Sequence, residues 1–128
     1  MKINVLGIRF DNLTVAEAVD IGAGFLDGSS FHYAVTPNPE FILSAEKDEA
    51  FRSIVNNADL VLADGIGVIH SARLLGTPLK GRVTGVEFAS HMLAELDKRG
   101  GRLFLLGAKP GVAEVAGQNI AQIRRAHV

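Results

Sequence analysis

Short apolar runs alternate with segments of helical periodicity along this chain, and this alternation restricts the folds open to it. The apolar runs predict strands at 3–8, 31–35, 59–63 and 102–106, with a further short strand at 9–10. Strands separated by helices are typical of α/β proteins with parallel sheets. We therefore predict a Rossmann-like, mostly parallel sheet with helices on both faces, forming a single domain over residues 1–128.

Three positions mark where helices begin. Thr14 and Thr84 are each followed three residues later by a glutamate, Glu17 and Glu87, which is the pattern of a capping box. Pro110 is predicted at the first position of a last helix that runs to the C-terminus. No strand follows that helix, so we expect the chain to be the front part of a larger protein. The uncompleted sheet edge would expose apolar surface and favour a homo-oligomer.

Composition narrows the classes of function. The chain is 48% hydrophobic and 21% charged, with a formal net charge of -1, which gives no indication of a nucleic-acid partner. Cysteine is absent, which excludes disulfides and thiol catalysis by this chain. No signal-peptide pattern opens the sequence, and no apolar run reaches the roughly 20 residues of a membrane span. Any membrane contact is expected to be peripheral.

An aspartate follows directly on the third predicted strand, in Ala63-Asp64-Gly65-Ile66-Gly67. The carboxyl ends of parallel strands are where open α/β sheets bind ligands. There Asp64 could accept a proton from a hydroxyl nucleophile, as a general base does. It could equally cap the next helix, because aspartate is a preferred N-cap residue. Both alternatives stay open on the motif, and Gly65 permits close backbone approach in either case.

The second predicted strand ends in Thr36-Pro37-Asn38-Pro39-Glu40. The prolines stiffen this turn, and the Thr36 hydroxyl and the Asn38 amide both donate and accept hydrogen bonds, which suits a sugar. The alternative is structural: Asn38 as an N-cap followed by proline at the first helical position.

Two further loops suit an anion. Gly107, Lys109 and Gly111 lie at the turn from the fourth predicted strand into the last helix, where free backbone N–H groups favour a diphosphate. Arg82 could hold a phosphate through paired hydrogen bonds, although most lone arginines are solvated. The four histidines share no metal-binding spacing and no D-x-D pair occurs, so we predict no metal and no cofactor. The absence of G-x-G-x-x-G argues against a nicotinamide-dependent oxidoreductase.

Taken together, these four loops resemble the WecG/TagA/CpsF family of bacterial glycosyltransferases, most closely its TagA branch. The resemblance covers essentially the whole chain. It implies an inverting, metal-independent transfer of N-acetylmannosamine from its UDP derivative to undecaprenyl-diphosphate-linked N-acetylglucosamine, forming a β-1,4 bond in wall teichoic acid synthesis. A uronic acid form of the donor sugar is used elsewhere in the family.

The resemblance also assigns roles to residues. It implies Asp64 as the catalytic base, with Thr36, Asn38, Arg82, Gly65 and Gly85 on the substrates and Gly107, Lys109 and Gly111 on the nucleotide diphosphate. Family members continue for roughly another hundred residues, because a few more strand–helix units are needed to complete a domain of this kind. In TagA-like proteins the last stretch is a basic appendage that reaches the inner face of the cell membrane. Without it, a nucleotide-sugar-binding module without catalysis is the alternative function.

Overall fold

The structure is a computed structural model that describes residues 1–126, with side chains to residue 122. The described elements are β1 (Lys2–Val5), β2 (Ile8–Asp11), α1 (Val15–Asp27), β3 (Ala34–Val35), α2 (Pro39–Lys47), α3 (Glu49–Asn56), β4 (Leu60–Val61), α4 (Ile66–Leu74), α5 (Gly85–Lys98) and α6 (Val112–Ala126). They confirm the α/β class, but the described strands form two sheets of only two strands each, β1–β2 and β3–β4, in place of one larger parallel sheet. The chain divides into two compact units, Met1–Leu93 and a second that begins at Ala94.

The parallel pairing expected of the second and third predicted strands is confirmed. Val35 is in register with Val61, and Leu62 N–H donates to the Val35 carbonyl at 2.9 Å. Both strands are shorter than the apolar runs suggested. At their start, Asp59 accepts hydrogen bonds from the His32 ring and from Tyr33 N–H, which together lower the pKa of the Asp59 carboxyl.

The predicted strand over 3–8 is wrong, because the chain reverses in the middle of it. β1 and β2 form an antiparallel hairpin in which Val5 pairs with Ile8 across the two residues Leu6 and Gly7. Their φ angles are 50° and 93°, the positive values that a tight hairpin turn of this kind requires. The Asn4 side chain supports the turn by accepting the Gly7 N–H at 2.9 Å.

The hairpin supplies much of the core of the first unit. Ile3, Val5, Ile8 and Phe10 are buried, and they pack with residues of α2, α3, β4 and α4. β2 is also joined to β4 by a hydrogen bond, since Asp11 Oδ2 accepts the Val61 N–H at 2.8 Å. The hairpin therefore supports β4, the strand that leads to Asp64.

The predicted strand over 102–106 is absent. These residues have no regular secondary structure and are exposed, with Phe104 at 83% and Leu106 at 92%. A strand needs a neighbour to complete its hydrogen-bond ladder, and the described part of the second unit contains no other strand. The sequence pattern indicates β-propensity here but cannot supply a partner.

The helix starts follow their local signals closely, apart from Pro110 and from the capping box at Thr84, in which Glu87 accepts from the Thr84 hydroxyl and not from its N–H. Thr14 caps α1 with both hydrogen bonds of a capping box. The prediction that Pro110 opens the last helix is wrong: α6 begins at Val112, whose N–H donates to the Lys109 carbonyl in a turn before the helix. Residues 127 and 128, to which that helix was predicted to extend, and the histidine at 127 lie outside the described residues.

Candidate active site

Asp64 stands where the buried run of β4 reaches the protein surface. Leu62 and Ala63 are buried, Asp64 and Gly65 are half-buried, and Ile66 is exposed as the first residue of α4. Strand and helix are joined through Gly65, which has φ 108° and ψ 137°. Glycine is needed there because other residues rarely adopt a positive φ.

The segment before α5 is fixed alongside this strand end. Val83 is buried and its N–H donates to the Ala63 carbonyl at 3.0 Å. Upstream, Lys80 is held twice: its backbone N–H donates to Asn12 Oδ1 at 2.7 Å, and its ammonium group contacts the Glu17 carboxylate at 3.0 Å. The Thr14 N–H and Lys80 together lower the pKa of Glu17. The start of α5 is thereby placed beside Asp64.

The Asp64 carboxylate binds the N-terminus of α5 and does not cap its own helix. Oδ2 accepts the N–H of Gly85, the first residue of α5, at 3.1 Å. The N-cap of α4 is Gly65, with no side-chain cap. Within residues 1–126, nothing forms a hydrogen bond with Asp64 Oδ1. The alternative that Asp64 caps the helix following it is therefore wrong, whereas the base alternative stays a prediction for which Oδ1 is available.

Thr36 lies next to Asp64 and Gly85. This is expected, because the parallel strands β3 and β4 end at the same edge of their sheet. A Cβ atom built on Gly85 would stand 3.4 Å from Thr36 Oγ1 and 3.5 Å from Asp64 Oδ2. The hydroxyl and the carboxylate thus border the same glycine. Both are half-buried, so the ends of β3 and β4 and the start of α5 form one polar site.

Asn38 has the structural role that the sequence left open. Its Oδ1 accepts the Phe41 N–H at 3.1 Å and caps α2, with Pro39 as the first helical residue. The amide nitrogen of Asn38 forms no hydrogen bond within the described chain. A contact between Asn38 and a sugar remains a prediction that this cap permits.

Pro39 brings the start of α2 against the start of α4. A Cβ atom on Gly65 would lie 3.8 Å from Pro39 Cδ, and one on Gly67 only 2.9 Å from Pro39 Cγ. No real side chain is accommodated at 2.9 Å without a shift, and the proline ring is rigidly joined to its backbone. Gly67 therefore sets the spacing between the Asn38 turn and the Asp64 turn.

Gly67→Ala is expected to destabilise the chain by about 1–3 kcal/mol, the usual cost of overpacking. The matched control is Gly24→Ala in α1, where a Cβ atom would meet nothing within 4 Å. That change is expected to stabilise by roughly 0.5–1 kcal/mol, because alanine is the better helix residue. Urea denaturation of both variants checks the pair. Equal effects at the two positions would contradict the close contact with Pro39.

The remaining predicted residues lie on loops. Arg82 is exposed and has no ion pair in the described chain. Gly107, Lys109 and Gly111 belong to the second unit, in the loop before α6. Gly107 and Gly111 have φ 115° and 90°, and Ala108 between them has φ 64°. Lys109 is exposed. An open groove lies along the first turns of α6, lined by Pro110, Gly111, Val112, Val115, Ala116 and Asn119.

Sequence comparison gives the site its context. The family described as "Glycosyl transferase WecG/TagA/CpsF family" matches residues 3–127. The chain belongs to this family. Two curated relatives from Staphylococcus aureus, of strains NCTC 8325 / PS 47 and COL, are each 33% identical to it over 117 residues. Both are named N-acetylglucosaminyldiphosphoundecaprenol N-acetyl-beta-D-mannosaminyltransferase.

The match covers 90% of this chain and 46% of each relative, so the chain spans about half the length of the curated relatives it matches. Among residues 1–126, no helix is both long and apolar enough to cross a membrane. Among the side chains that the structure describes, no three from histidine, aspartate or glutamate are grouped so that they could hold a metal ion.

Proposed function

We propose that this chain carries the catalytic base of an inverting, metal-independent glycosyltransferase. It would move N-acetylmannosamine from UDP-N-acetylmannosamine to undecaprenyl-diphosphate-linked N-acetylglucosamine, with a β-1,4 bond, in teichoic acid synthesis. One observation carries the proposal: Asp64 presents one engaged and one unengaged carboxylate oxygen beside the Thr36 hydroxyl, at the end of a buried strand. The names of the two relatives support the choice of substrates.

The reaction proceeds in one displacement. The acceptor hydroxyl gives its proton to Asp64 Oδ1 as its oxygen bonds to the anomeric carbon of the donor. The bond from that carbon to the diphosphate breaks, and its electron pair leaves with UDP. Attack from the face opposite the leaving group inverts the anomeric configuration. An alkyl hydroxyl is a very weak acid, so the base acts as bonding to carbon develops.

Other residues hold the reactants. Thr36 and Asn38 donate to and accept from hydroxyl and acetamide groups, with Gly65 and Gly85 allowing close approach. Arg82 neutralises charge on the donor diphosphate. In the second unit, the turn from Gly107 to Gly111, with Lys109, has the backbone N–H groups of a diphosphate-binding turn. The support for these roles is the residue chemistry and the family resemblance.

The proposal extends to the fold, the location and the self-association of the enzyme. The β3–β4 pair is the parallel core of a Rossmann-like fold with helices on both faces, and the enzyme acts on the cytoplasmic face of the cell membrane. There it reaches its lipid-linked acceptor as a peripheral protein and associates with further copies of itself. The undecaprenol-linked substrate in the names of the relatives supports this placement.

The direct test is release of UDP from UDP-N-acetylmannosamine by the protein, with and without undecaprenyl-diphosphate N-acetylglucosamine. We expect release only when the acceptor is present, and slower release from the uronic acid donor. Calorimetry with UDP separates the alternatives: binding without turnover would favour a nucleotide-sugar-binding module. Turnover with the uronic acid donor alone would assign the other sugar.

A further inference from the structure

The start of α5 points to a function for Gly85 that differs from substrate binding. We propose that Gly85 is a positioning residue: its N–H fixes Asp64 Oδ2, so that Oδ1 is the oxygen that accepts the proton. This inference rests on the proposed role of Asp64 as the base.

The donor at Gly85 is available for this purpose because of its place in the helix. The first N–H groups of an α-helix have no partner within the helix, and the positive end of the helix dipole favours an anion. Here the carboxylate comes from a different element, 21 residues earlier in the chain, at 3.1 Å. The contact therefore joins the end of β4 to the start of α5.

The helix start is itself held in place. Thr84 Oγ1 accepts the Glu87 N–H at 3.1 Å, and the Thr84 carbonyl accepts the Phe88 N–H at 3.0 Å. The Thr84 hydroxyl in turn donates to the Glu87 carboxylate, where a full capping box would use the Thr84 N–H. With Val83 bound to the Ala63 carbonyl, Gly85 N–H has little freedom to follow a moving carboxylate.

Gly85 lies where a side chain would have little spare room. Its φ is not among the positive values found elsewhere in the chain. An added Cβ would stand 3.3 Å from Thr36 Cγ2, 3.4 Å from Thr36 Oγ1 and 3.5 Å from Asp64 Oδ2. A methyl group there would press most on Thr36 Cγ2, which would have to give by a few tenths of an ångström, and it would be in ordinary contact with the Thr36 hydroxyl and with Asp64 Oδ2. It would alter the site without removing any of its functional groups.

Displacement of a general base is expected to act on the chemical step. A misplacement of about 1 Å can cost about 100-fold in rate, because the proton acceptor leaves hydrogen-bond reach of the reacting hydroxyl. Binding of the donor depends on other groups. The crowding at Gly85 amounts to only a few tenths of an ångström. Gly85→Ala is therefore expected to lower kcat by about threefold to tenfold, with the KM for the UDP-sugar changed by about twofold or less.

Two further variants make the test specific. Gly81→Ala is the matched control, because a Cβ there meets nothing within 4 Å; it is expected to keep the wild-type kcat and KM. Thr36→Ser in the Gly85→Ala background keeps the hydroxyl and removes Cγ2, the atom nearest to the added methyl group. If crowding displaces Asp64, the double variant recovers part of the lost kcat, a non-additivity expected of residues in contact.

The outcomes separate the two proposals. Gly85→Ala with wild-type kcat, or no recovery in the double variant, would overturn the positioning role and leave the base assignment intact. A parallel loss of kcat, donor binding and thermal stability would also overturn it, since that is the signature of general damage to the fold. Full activity of Asp64→Asn would remove the base itself, whatever Gly85→Ala does.

Discussion

Asp64→Asn is expected to lower the rate of sugar transfer by roughly 10²–10⁴-fold, the usual contribution of a general base. The substitution is nearly isosteric, and the asparagine carbonyl oxygen can still accept the Gly85 N–H that now binds Oδ2. The asparagine loses the ability to take a proton at the position that Asp64 Oδ1 occupies. Turnover should therefore collapse while the affinity for UDP, measured by calorimetry, stays within about twofold of the wild type.

Asp64→Ala distinguishes the chemical role of the carboxylate from its structural one. It removes the acceptor as well as the base and leaves the half-buried Gly85 N–H without a partner, which is expected to cost about 1–3 kcal/mol of stability. Asp64→Asn should unfold at nearly the wild-type urea concentration. Asp20→Asn, the same change at an exposed aspartate of α1, serves as the control for both measurements. Substantial transfer by Asp64→Asn would show that another group accepts the proton.

Features set by neighbours in sequence were predictable. The capping box at Thr14 and the cap at Asn38 need only residues three positions apart, so the pattern contains the whole interaction. The meeting of Thr36 with Asp64 follows from a simple topological rule, that parallel strands end at the same edge of a sheet. These predictions required no knowledge of how distant segments pack.

Features set by distant partners were not predictable. The sequence allowed Asp64 to cap the helix that follows it, yet its hydrogen bond goes to α5, a pairing that depends on how Val83 docks beside Ala63. The apolar run at 102–106 has the composition of a strand, but strand formation requires a partner that the run itself does not specify.

The hairpin shows a third kind of error, in which a local signal exists but is weak. Leu6-Gly7 lacks the Asn-Gly or Asp-Gly pair typical of such turns, and leucine rarely adopts a positive φ. The alternation of apolar and polar residues on each side of the turn is a better indicator of the hairpin than the turn residues are. Its apolar members are Ile3, Val5, Ile8 and Phe10, and all four are buried. The reversal at Gly7 keeps all four on one face.

That hairpin leads to a second large effect, on stability. Phe10→Ala is expected to destabilise the chain by about 3–5 kcal/mol, the range for removing a fully buried aromatic side chain from a core. Phe10 is completely buried, while Phe31 is 85% exposed, so Phe31→Ala is the matched control and should change stability by about 1 kcal/mol or less. Urea denaturation with a common m-value provides the measurement.

Removal of the Phe10 ring should also affect the candidate site, because the next residue, Asp11, forms a hydrogen bond with β4. Asp11 Oδ2 accepts the Val61 N–H at 2.8 Å, three residues before Asp64. If the cavity lets β2 shift, this bond loosens and the end of β4 loses support on that side. Hydrogen exchange at Val61 N–H should then accelerate in Phe10→Ala and stay slow in Phe31→Ala. Unchanged protection of Val61 in a strongly destabilised Phe10→Ala would mean that β4 is held independently of the hairpin.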